Sequence, residues 1–171
     1  MGYAIGGHAH SHTLDSEQNV WFTLPWDHQI GKWDRKTQQV RLWKPPTPHS
    51  NPMGIVVDRN DTVWFAGFES CQVVGFDPVT EKFAEYPALT QPCTAPSLTV
   101  DSKGTVWYSV PSQGKLGALD PDSGERVEYQ TPAPFSAPRA LSSDPMDNIW
   151  VSDGGHEGSL VRFDPRTRSF T

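Results

Sequence analysis

Four tryptophans spaced 43 residues apart are the feature that most constrains what this chain can fold into. Two series of aspartates and one series of other aromatic residues follow the same spacing, with a single step of 44. The members are Trp21, Trp64, Trp107 and Trp150; Asp15, Asp58, Asp101 and Asp144; Asp34, Asp77, Asp120 and Asp164; and Trp43, Tyr86 and Tyr129. A fixed period of about 20 to 50 residues indicates a repeat architecture. We therefore divide the chain into units of approximately residues 3–46, 47–89, 90–132 and 133–171.

Each unit predicts four short β-strands. In the second unit they are the segments GIVV, TVWFA, QVVGF and KFAEY, separated by turn sequences such as DRND and DPVTE. Four such strands with a repeated aromatic residue are typical of one propeller blade. The sequence thus predicts an all-β fold, a single β-propeller domain over residues 1–171 with four four-stranded blades. The tryptophans are expected to pack between blades and the aspartates to cap turns.

Charge and hydropathy patterning exclude two classes of partner. The chain has 14 basic and 20 acidic residues, a net charge of −6, and no cluster of Lys and Arg that could follow a phosphate backbone. Nucleic acid is therefore not an expected partner. No apolar run approaches the roughly 18 to 20 residues of a membrane span, so a membrane is not expected either. We expect a soluble protein.

The cellular compartment stays open at this stage. The first residues, MGYAIGGHAH, lack the basic start and apolar middle of a signal peptide, and both a cytoplasmic and an exported protein fit the sequence. Cys71 and Cys93 do not form a C-x-x-C pair. Both are expected on the same face of the propeller, where they are either free thiols or, in an oxidising compartment, a disulfide.

The units resemble a known family. The pattern P-x-G-I-x-V-D-x-x-x-x-V-W-F, followed by K-I-G-x-x-D-P-x-T-x-x-x-x-E-Y, is similar to the repeats of virginiamycin B lyase (streptogramin lyase), a bacterial β-propeller, over essentially the whole chain. The resemblance implies a ring with more than four blades. We expect an arc of a larger propeller, completed by further blades or by a homodimer, because the next member of the Trp43 series would fall at position 172. A closed four-bladed ring is the alternative.

Three histidines at alternate positions are candidate ligands on the channel side of the first blade. Strand alternation would send His8, His10 and His12 to one side. Neutral imidazole suits zinc, copper, nickel or iron, and a carboxylate such as Asp153 would admit a harder ion. Steps of about 7 Å along a strand let at most two of them share an ion. We predict His8, His12 and Asp153 as metal ligands; a polar channel wall is the alternative.

Loops on the same face carry further candidates for binding a small molecule. They join the second and third strands of blades one, two and four, and this end of a propeller normally carries function. The candidate ligand-binding residues are Trp26, His28, Glu69, His156 and Glu157.

The resemblance also implies a reaction and its residues. In the lyase family the catalytic His lies eleven residues before the blade Trp, within E-P-H-G-I, and only His10 matches that position. Three residues after the Trp, where a Glu helps to hold magnesium, only Asp153 keeps a carboxylate. The Glu of E-P-H-G-I is absent from all four units, so the implied magnesium site is incomplete.

Three functions follow from these residues. The first is an elimination at a cyclic ester or depsipeptide, in which His10 removes a proton alpha to a carbonyl and the ester oxygen leaves. A divalent ion would stabilise the developing enolate: Mg²⁺ by the resemblance, or zinc or another transition metal by the histidine content. The second is a non-catalytic propeller that binds a small ligand or a metal. The third is an inactive scaffold for interactions. His10 and Asp153 or His156 would face the same space only if a four-bladed ring closes.

Overall fold

The computed structural model describes residues 7–133, 137–154 and 159–171. The described residues form four antiparallel sheets, each of four strands in chain order. Blade 1 contains β1 (His12–Leu14), β2 (Val20–Leu24), β3 (Gln29–Trp33) and β4 (Val40–Trp43); blade 2 contains β5 (Pro52–Val57), β6 (Val63–Gly67), β7 (Gln72–Asp77) and β8 (Lys82–Pro87); blade 3 contains β9 (Leu98–Val100), β10 (Val106–Val110), β11 (Lys115–Leu119) and β12 (Arg126–Gln130); blade 4 contains β13 (Pro138–Ser143), β14 (Ile149–Asp153), β15 (Leu160–Asp164) and β16 (Ser169–Phe170). The prediction of an all-β fold with four four-stranded blades is confirmed.

Helical structure in the described residues is confined to two single turns of 3₁₀ helix, Pro25–Asp27 and Pro111–Gln113. Each follows the second strand of its blade, where proline fixes the backbone for a turn. None of the described helices is long and apolar enough to cross a membrane.

The first aspartate of each unit holds the turn between the first and second strands. In blade 3, Oδ1 of Asp101 accepts the backbone N–H groups of Lys103 and Thr105 at 2.9 and 3.0 Å. Its Oδ2 accepts the indole N–H of Trp107 at 2.9 Å. The other three blades repeat the bond to the indole at 2.9 to 3.0 Å. The predicted turn caps are confirmed, and each cap also orients the tryptophan of its blade.

The blades pack face to face by one rule. The sheet face that carries the repeated tryptophan of one blade contacts the opposite sheet face of the next blade. Between blades 1 and 2, Trp21 and Ile30 pack against Phe65, Val74 and Phe76. Blades 2 and 3 and blades 3 and 4 are joined by the equivalent clusters, around Trp64 and Trp107.

The four blades form an arc. The first strands β1, β5, β9 and β13 pack against one another in that order, whereas β1 and β13, in the described chain, do not pack in this way. The closed four-bladed ring is therefore wrong for this structure. Trp21, Trp64 and Trp107 are buried between blades, as expected. Trp150 departs from that expectation: it is half-buried, because none of the described blades lies on its side of blade 4.

Cys71 and Cys93 form a disulfide, with their Cα atoms 5.3 Å apart. It joins the loop between β6 and β7 to the connection between blades 2 and 3. Both residues are buried in the cluster between these blades. The expectation that the two cysteines lie close on one face is confirmed.

Candidate functional site

The histidine segment is extended, but it does not alternate as a regular strand. His8 and His10 precede β1, which begins at His12, and all three side chains are exposed. The N–H of His10 donates to the carbonyl of Thr23 at 3.1 Å, and the N–H of Thr23 donates to the carbonyl of Ser11 at 3.0 Å. His10 and Ser11 thus share one partner residue, which is a β-bulge. The expected alternation of the three histidines is wrong because the bulge inserts an extra residue between His8 and His12.

The bulge recurs in other blades. The pairing of the first and second strands shifts between Pro52 and Ile55 in blade 2 and between Pro138 and Leu141 in blade 4. In blade 1 it positions the backbone of His10, while the imidazole stays exposed with Nδ1 2.9 Å from the hydroxyl of Ser11.

The bulge also forms part of the contact between blades. Oγ1 of Thr23 accepts the N–H of Ser11 at 3.1 Å and donates to the carbonyl of Met53 at 2.9 Å. Ser109 donates in the same way to the carbonyl of Arg139 at 3.2 Å. Met53 and Arg139 are the equivalents of His10 in blades 2 and 4. The backbone carbonyl of each therefore accepts a hydrogen bond from the preceding blade.

Trp26 lies on the 3₁₀ turn after β2 and is 71% exposed. Pro25 is buried beneath it, and His28 ends the turn in the left-handed region, with a φ of 54°. The ring of His8 approaches the indole edge-on, with centroids 6.0 Å apart. The turn therefore presents a large aromatic surface outward, beside the histidine segment.

A cleft lies next to this turn, at the junction of blades 1 and 2. It has a volume of about 330 Å³ and is lined by Asp27, His28, the residues 44–48 and His49. The rings of His28 and His49 meet edge to face, with centroids 5.1 Å apart. The N–H of Asn51 donates to Nδ1 of His28 at 3.3 Å, so neutral His28 carries its proton on Nε2 and is a donor there.

Asn51 links two of the predicted ligand-binding residues. Besides its bond to His28, its side-chain amide donates to the carboxylate of Glu69 at 3.0 Å. Among the described residues, Oδ1 of Asn51 and the hydroxyls of Ser50 and Ser70 are buried without a hydrogen-bond partner. Such groups are ordinarily satisfied by a water or a ligand. The structure thus brings Trp26, His28 and Glu69 to one corner of the arc, which we call the blade 1–2 corner.

Sequence reasoning missed His49 and Asn51 at this corner. Both lie in or next to the connection that enters the first strand of blade 2, which reaches the same end of the blades as the loops between second and third strands. The proline-rich segment KPPTPHSN contains a histidine that could have been assigned from this position alone.

Asp153 lies apart from the histidines. It ends β14 in blade 4, and its Oδ1 accepts the N–H of Ala137 at 2.9 Å. His156 and Glu157 lie outside the described residues. Within the described ranges, no three or more His, Cys, Asp or Glu side chains come together to hold a metal ion. The donors among the described residues therefore do not assemble into a complete metal site.

Shifted pKa values are found at carboxylates that cap turns. Hydrogen bonds from Asn148, and from the indole of Trp150, lower the pKa of Asp144 to about 2. Burial alone would raise the pKa of Asp15, but bonds from Asn19 and Trp21 and the charge of Lys32 bring it below its ordinary value. These carboxylates stabilise turns of the fold. They lie at the opposite ends of the strands from the blade 1–2 corner.

Comparison with known proteins agrees with the architecture. A catalytically inactive virginiamycin B lyase from Staphylococcus aureus, solved with quinupristin, superposes with a TM-score of 0.87 at 22% identity, over 98% of this chain and 56% of that chain. A streptogramin B lyase structure superposes with a TM-score of 0.88 at 21% identity, over 98% of this chain and 55% of that chain. At these identities the similarity shows the fold alone.

The same fold occurs in proteins of other function. Hydrazine synthase from Kuenenia stuttgartiensis superposes with a TM-score of 0.81 at 16% identity, over 99% of this chain and 51% of that chain. No curated protein matches the chain. The chain spans about 55% of the length of the lyase structures that it matches. Its sequence matches the virginiamycin B lyase family over residues 4–163, and the chain therefore belongs to that family.

Proposed function

We propose that this chain binds a cyclic ester or depsipeptide at the blade 1–2 corner, as part of a streptogramin-lyase-like propeller. The observation that carries the proposal is the 71% exposure of Trp26 beside the cleft between His28 and His49. Family membership supports the ligand class, because one relative was solved with quinupristin.

The corner offers both kinds of contact that such a ligand needs. The indole of Trp26 supplies an apolar face on which a ring or an aliphatic side chain of the ligand can stack. The Nε2–H of His28, which lines the cleft, is a donor for an ester or amide carbonyl of the ligand. A few polar groups beside apolar surface are typical of small-molecule sites.

The second candidate function is elimination, with His10 as the base. His10 is the one residue that matches the family's catalytic histidine position, its backbone is held by the bulge, and its ring is exposed. The imidazole takes a proton from the carbon next to a carbonyl, the electron pair forms a C=C bond, and the ester oxygen leaves as a carboxylate. Water is not consumed, so the opened product keeps the mass of the ring.

The divalent ion, Mg²⁺ or zinc, stays a prediction, with His8, His12 and Asp153 as its ligands. The described side chains do not assemble around an ion, so we assign no step of the reaction to it. Metal analysis of the purified protein tests this prediction directly.

The binding test uses quinupristin as the probe and calorimetry as the measurement. We expect saturable binding by the wild type and at least a tenfold weaker Kd for Trp26→Ala, about 1.4 kcal/mol. Val79→Ala is the control, because Val79 is also largely exposed, at 91%, on a turn at the other end of blade 2. A wild type without saturable binding would overturn the proposal and leave the scaffold function.

The elimination test uses the same probe with mass spectrometry. A linear product of unchanged mass supports elimination, and a product heavier by one water indicates hydrolysis. His10→Ala should abolish the product while it leaves the Kd of quinupristin unchanged. Binding without any product would retain the ligand-binding function and reject the elimination.

We propose further that the protein works in an oxidising compartment. The disulfide between Cys71 and Cys93 supports this, because such bonds persist mainly in exported proteins. Thiol titration of protein isolated from its native compartment without reductant should find both cysteines blocked.

A further inference from the structure

We propose that a cleft between blades 2 and 3 binds a small zwitterion, a molecule with one carboxylate and one ammonium group. The cleft, which we call the blade 2–3 cleft, has a volume of about 340 Å³. It is lined by turns at the opposite ends of the strands from the blade 1–2 corner. Both of its walls belong to blades within the described chain, and the proposal does not depend on the proposed function.

The two neighbouring junctions of the arc are each closed by a carboxylate. Between blades 1 and 2, the carboxylate of Asp61 accepts both the N–H, at 2.9 Å, and the hydroxyl of Ser16. Between blades 3 and 4, the carboxylate of Asp147 accepts the N–H and the hydroxyl of Ser102, both at 2.8 Å. One aspartate with two bonds therefore joins the first turn of a blade to the first turn of the next.

The junction between blades 2 and 3 has no such carboxylate. At the 43-residue period, Arg59 occupies the position of the serine and Gly104 occupies the position of the aspartate. A Cβ atom added to Gly104 would meet no atom within 4 Å, so the space that the aspartate side chain fills elsewhere is open here. Among the described residues, none accepts the N–H of Arg59. A carboxylate from a ligand would complete the contact that the other two junctions make with their own residues.

The side chain of Arg59 supplies a second donor in place of the serine hydroxyl. Its Nη1 donates to the carbonyl of Ser102 across the junction at 3.1 Å, which holds the guanidinium at the cleft. The other N–H groups of the guanidinium are donors for a ligand. Bonds between a guanidinium and a carboxylate are charge-assisted and stronger than those of a neutral hydroxyl. We therefore assign the carboxylate of the ligand to the N–H and the guanidinium of Arg59.

Carboxylates form much of the remaining lining of the cleft. They are Asp58, Asp120 and Asp122, against the two cations Arg59 and Lys103. Both oxygens of Asp58 cap its own turn, so this residue is not a contact for a ligand. Asp120 and Asp122 are exposed. The N–H groups of its turn hold the pKa of Asp120 below its ordinary value, so its carboxylate is ionised at neutral pH.

The balance of charge in the cleft indicates the second group of the ligand. A molecule with a carboxylate alone would meet more negative than positive side chains. An ammonium group in the same molecule offsets this repulsion and forms a charge-assisted hydrogen bond with Asp120. Amino acids and short linear peptides carry both groups, and they are the chemical class that fits the blade 2–3 cleft.

The first experiment titrates the 171-residue chain with glycylglycine and follows backbone amide shifts by NMR. We expect saturable binding that shifts the amides of Arg59 and Gly104, and a Kd about tenfold weaker for Arg59→Gln. Arg35→Gln is the matched control, because Arg35 is also exposed but lies on a turn of blade 1, and it should keep the wild-type Kd. A wild type without saturable binding, or an Arg59→Gln variant that binds like the wild type, would overturn the proposal.

The ammonium group is tested with the same titration. Acetate and ethylamine each carry one of the two groups, and both should bind about tenfold more weakly than glycylglycine. Asp120→Asn should weaken glycylglycine binding to a similar extent, whereas Asp77→Asn, at the equivalent turn of blade 2, should leave it unchanged. Acetate that binds as tightly as glycylglycine would overturn the assignment of a zwitterion.

The second experiment supplies the carboxylate from the chain itself. Gly104→Asp places it opposite Arg59, and the aspartates at this turn position in blades 2 and 4 already adopt a positive φ, of 61° and 64°. We expect Gly104→Asp to lose glycylglycine binding and to have a higher Tm than Gly104→Asn, which has the same shape without the charge. In an Arg59→Gln background this difference in Tm should disappear. Glycylglycine binding that survives in Gly104→Asp would contradict the assigned position of the ligand carboxylate.

Discussion

The indole N–H of Trp107 donates to Oδ2 of Asp101 across 2.9 Å, and both side chains are buried. The other carboxylate oxygen holds the turn that precedes β10. One residue therefore fixes both the loop of a blade and the ring that packs against the next blade. The repetition of this pair in all four blades explains why Trp and Asp share the period of 43 residues.

Removing this carboxylate should destabilise the protein more than removing an exposed one. Asp101→Ala leaves the indole and two backbone N–H groups without their acceptor, and we expect the free energy of unfolding to fall by about 2 to 4 kcal/mol. Asp122→Ala, at an exposed turn of the same blade, should change it by less than about 0.5 kcal/mol. Urea unfolding followed by tryptophan fluorescence measures both; equal losses would contradict the role of Asp101.

The fold could be predicted from the sequence because the same sequence pattern occurs in all four repeat units. Each unit repeats its strand segments, its turn aspartates and its aromatic residues, so a weak signal in β16 is supported by the clear one in β8. The indole acceptor role of the aspartates was not predicted. It depends on the direction of two side chains across a turn, which spacing alone does not determine.

The site was less predictable because it depends on departures from the repeat. A bulge of one residue at His10 and Ser11 changes which histidines share a side, and no sequence period indicates it. The partnership of His28 with His49 joins two loops that are 21 positions apart in the chain. How far Trp150 is buried depends on whether another blade packs against blade 4. The sequence of the repeat unit alone does not determine this.

Breaking the disulfide should lower the free energy of unfolding, because the unfolded chain gains conformational entropy when the cross-link is removed. Cys71 and Cys93 are 22 residues apart, and closing a loop of that length contributes about 3 kcal/mol in the chain-entropy account. Reductant should therefore shift urea unfolding of the wild type to lower concentrations. A variant with both Cys71→Ser and Cys93→Ser should unfold early with or without reductant; a response of that variant to reductant would indicate another cause.

Acid should destabilise the protein through Asp144. Because its pKa is about 2 in the folded chain and about 4 when unfolded, the unfolded chain takes up the proton first as the pH falls. The stabilisation from this carboxylate is present above about pH 4 and is lost towards pH 2. Asp144→Asn should make the unfolding free energy depend less on pH within that window. Asp122→Asn, an exposed control, should keep the wild-type slope.

Glu128 joins blade 3 to the connection from blade 2 by a network of charge-assisted hydrogen bonds. Its carboxylate accepts the N–H of Thr90 at 3.0 Å and the ammonium of Lys115 at 3.2 Å. Burial alone would raise the pKa of Glu128, but hydrogen bonds from the hydroxyl and the N–H of Thr90, together with the bond and charge of Lys115, outweigh burial and bring it below its ordinary value. In blade 2 the equivalent Glu85 has an uncharged neighbour, because Gln72 replaces the lysine.

This difference makes Glu85 a matched control for the charge on Lys115. Glu128→Gln leaves a partly buried ammonium without its anion, and we expect a loss of about 2 to 3 kcal/mol in the free energy of unfolding. Glu85→Gln leaves no such charge and should cost about 1 kcal/mol. In a Lys115→Met background the cost of Glu128→Gln should fall to that of Glu85→Gln, because the two effects are coupled. An unchanged cost in that background would assign the role of Glu128 to Thr90 alone.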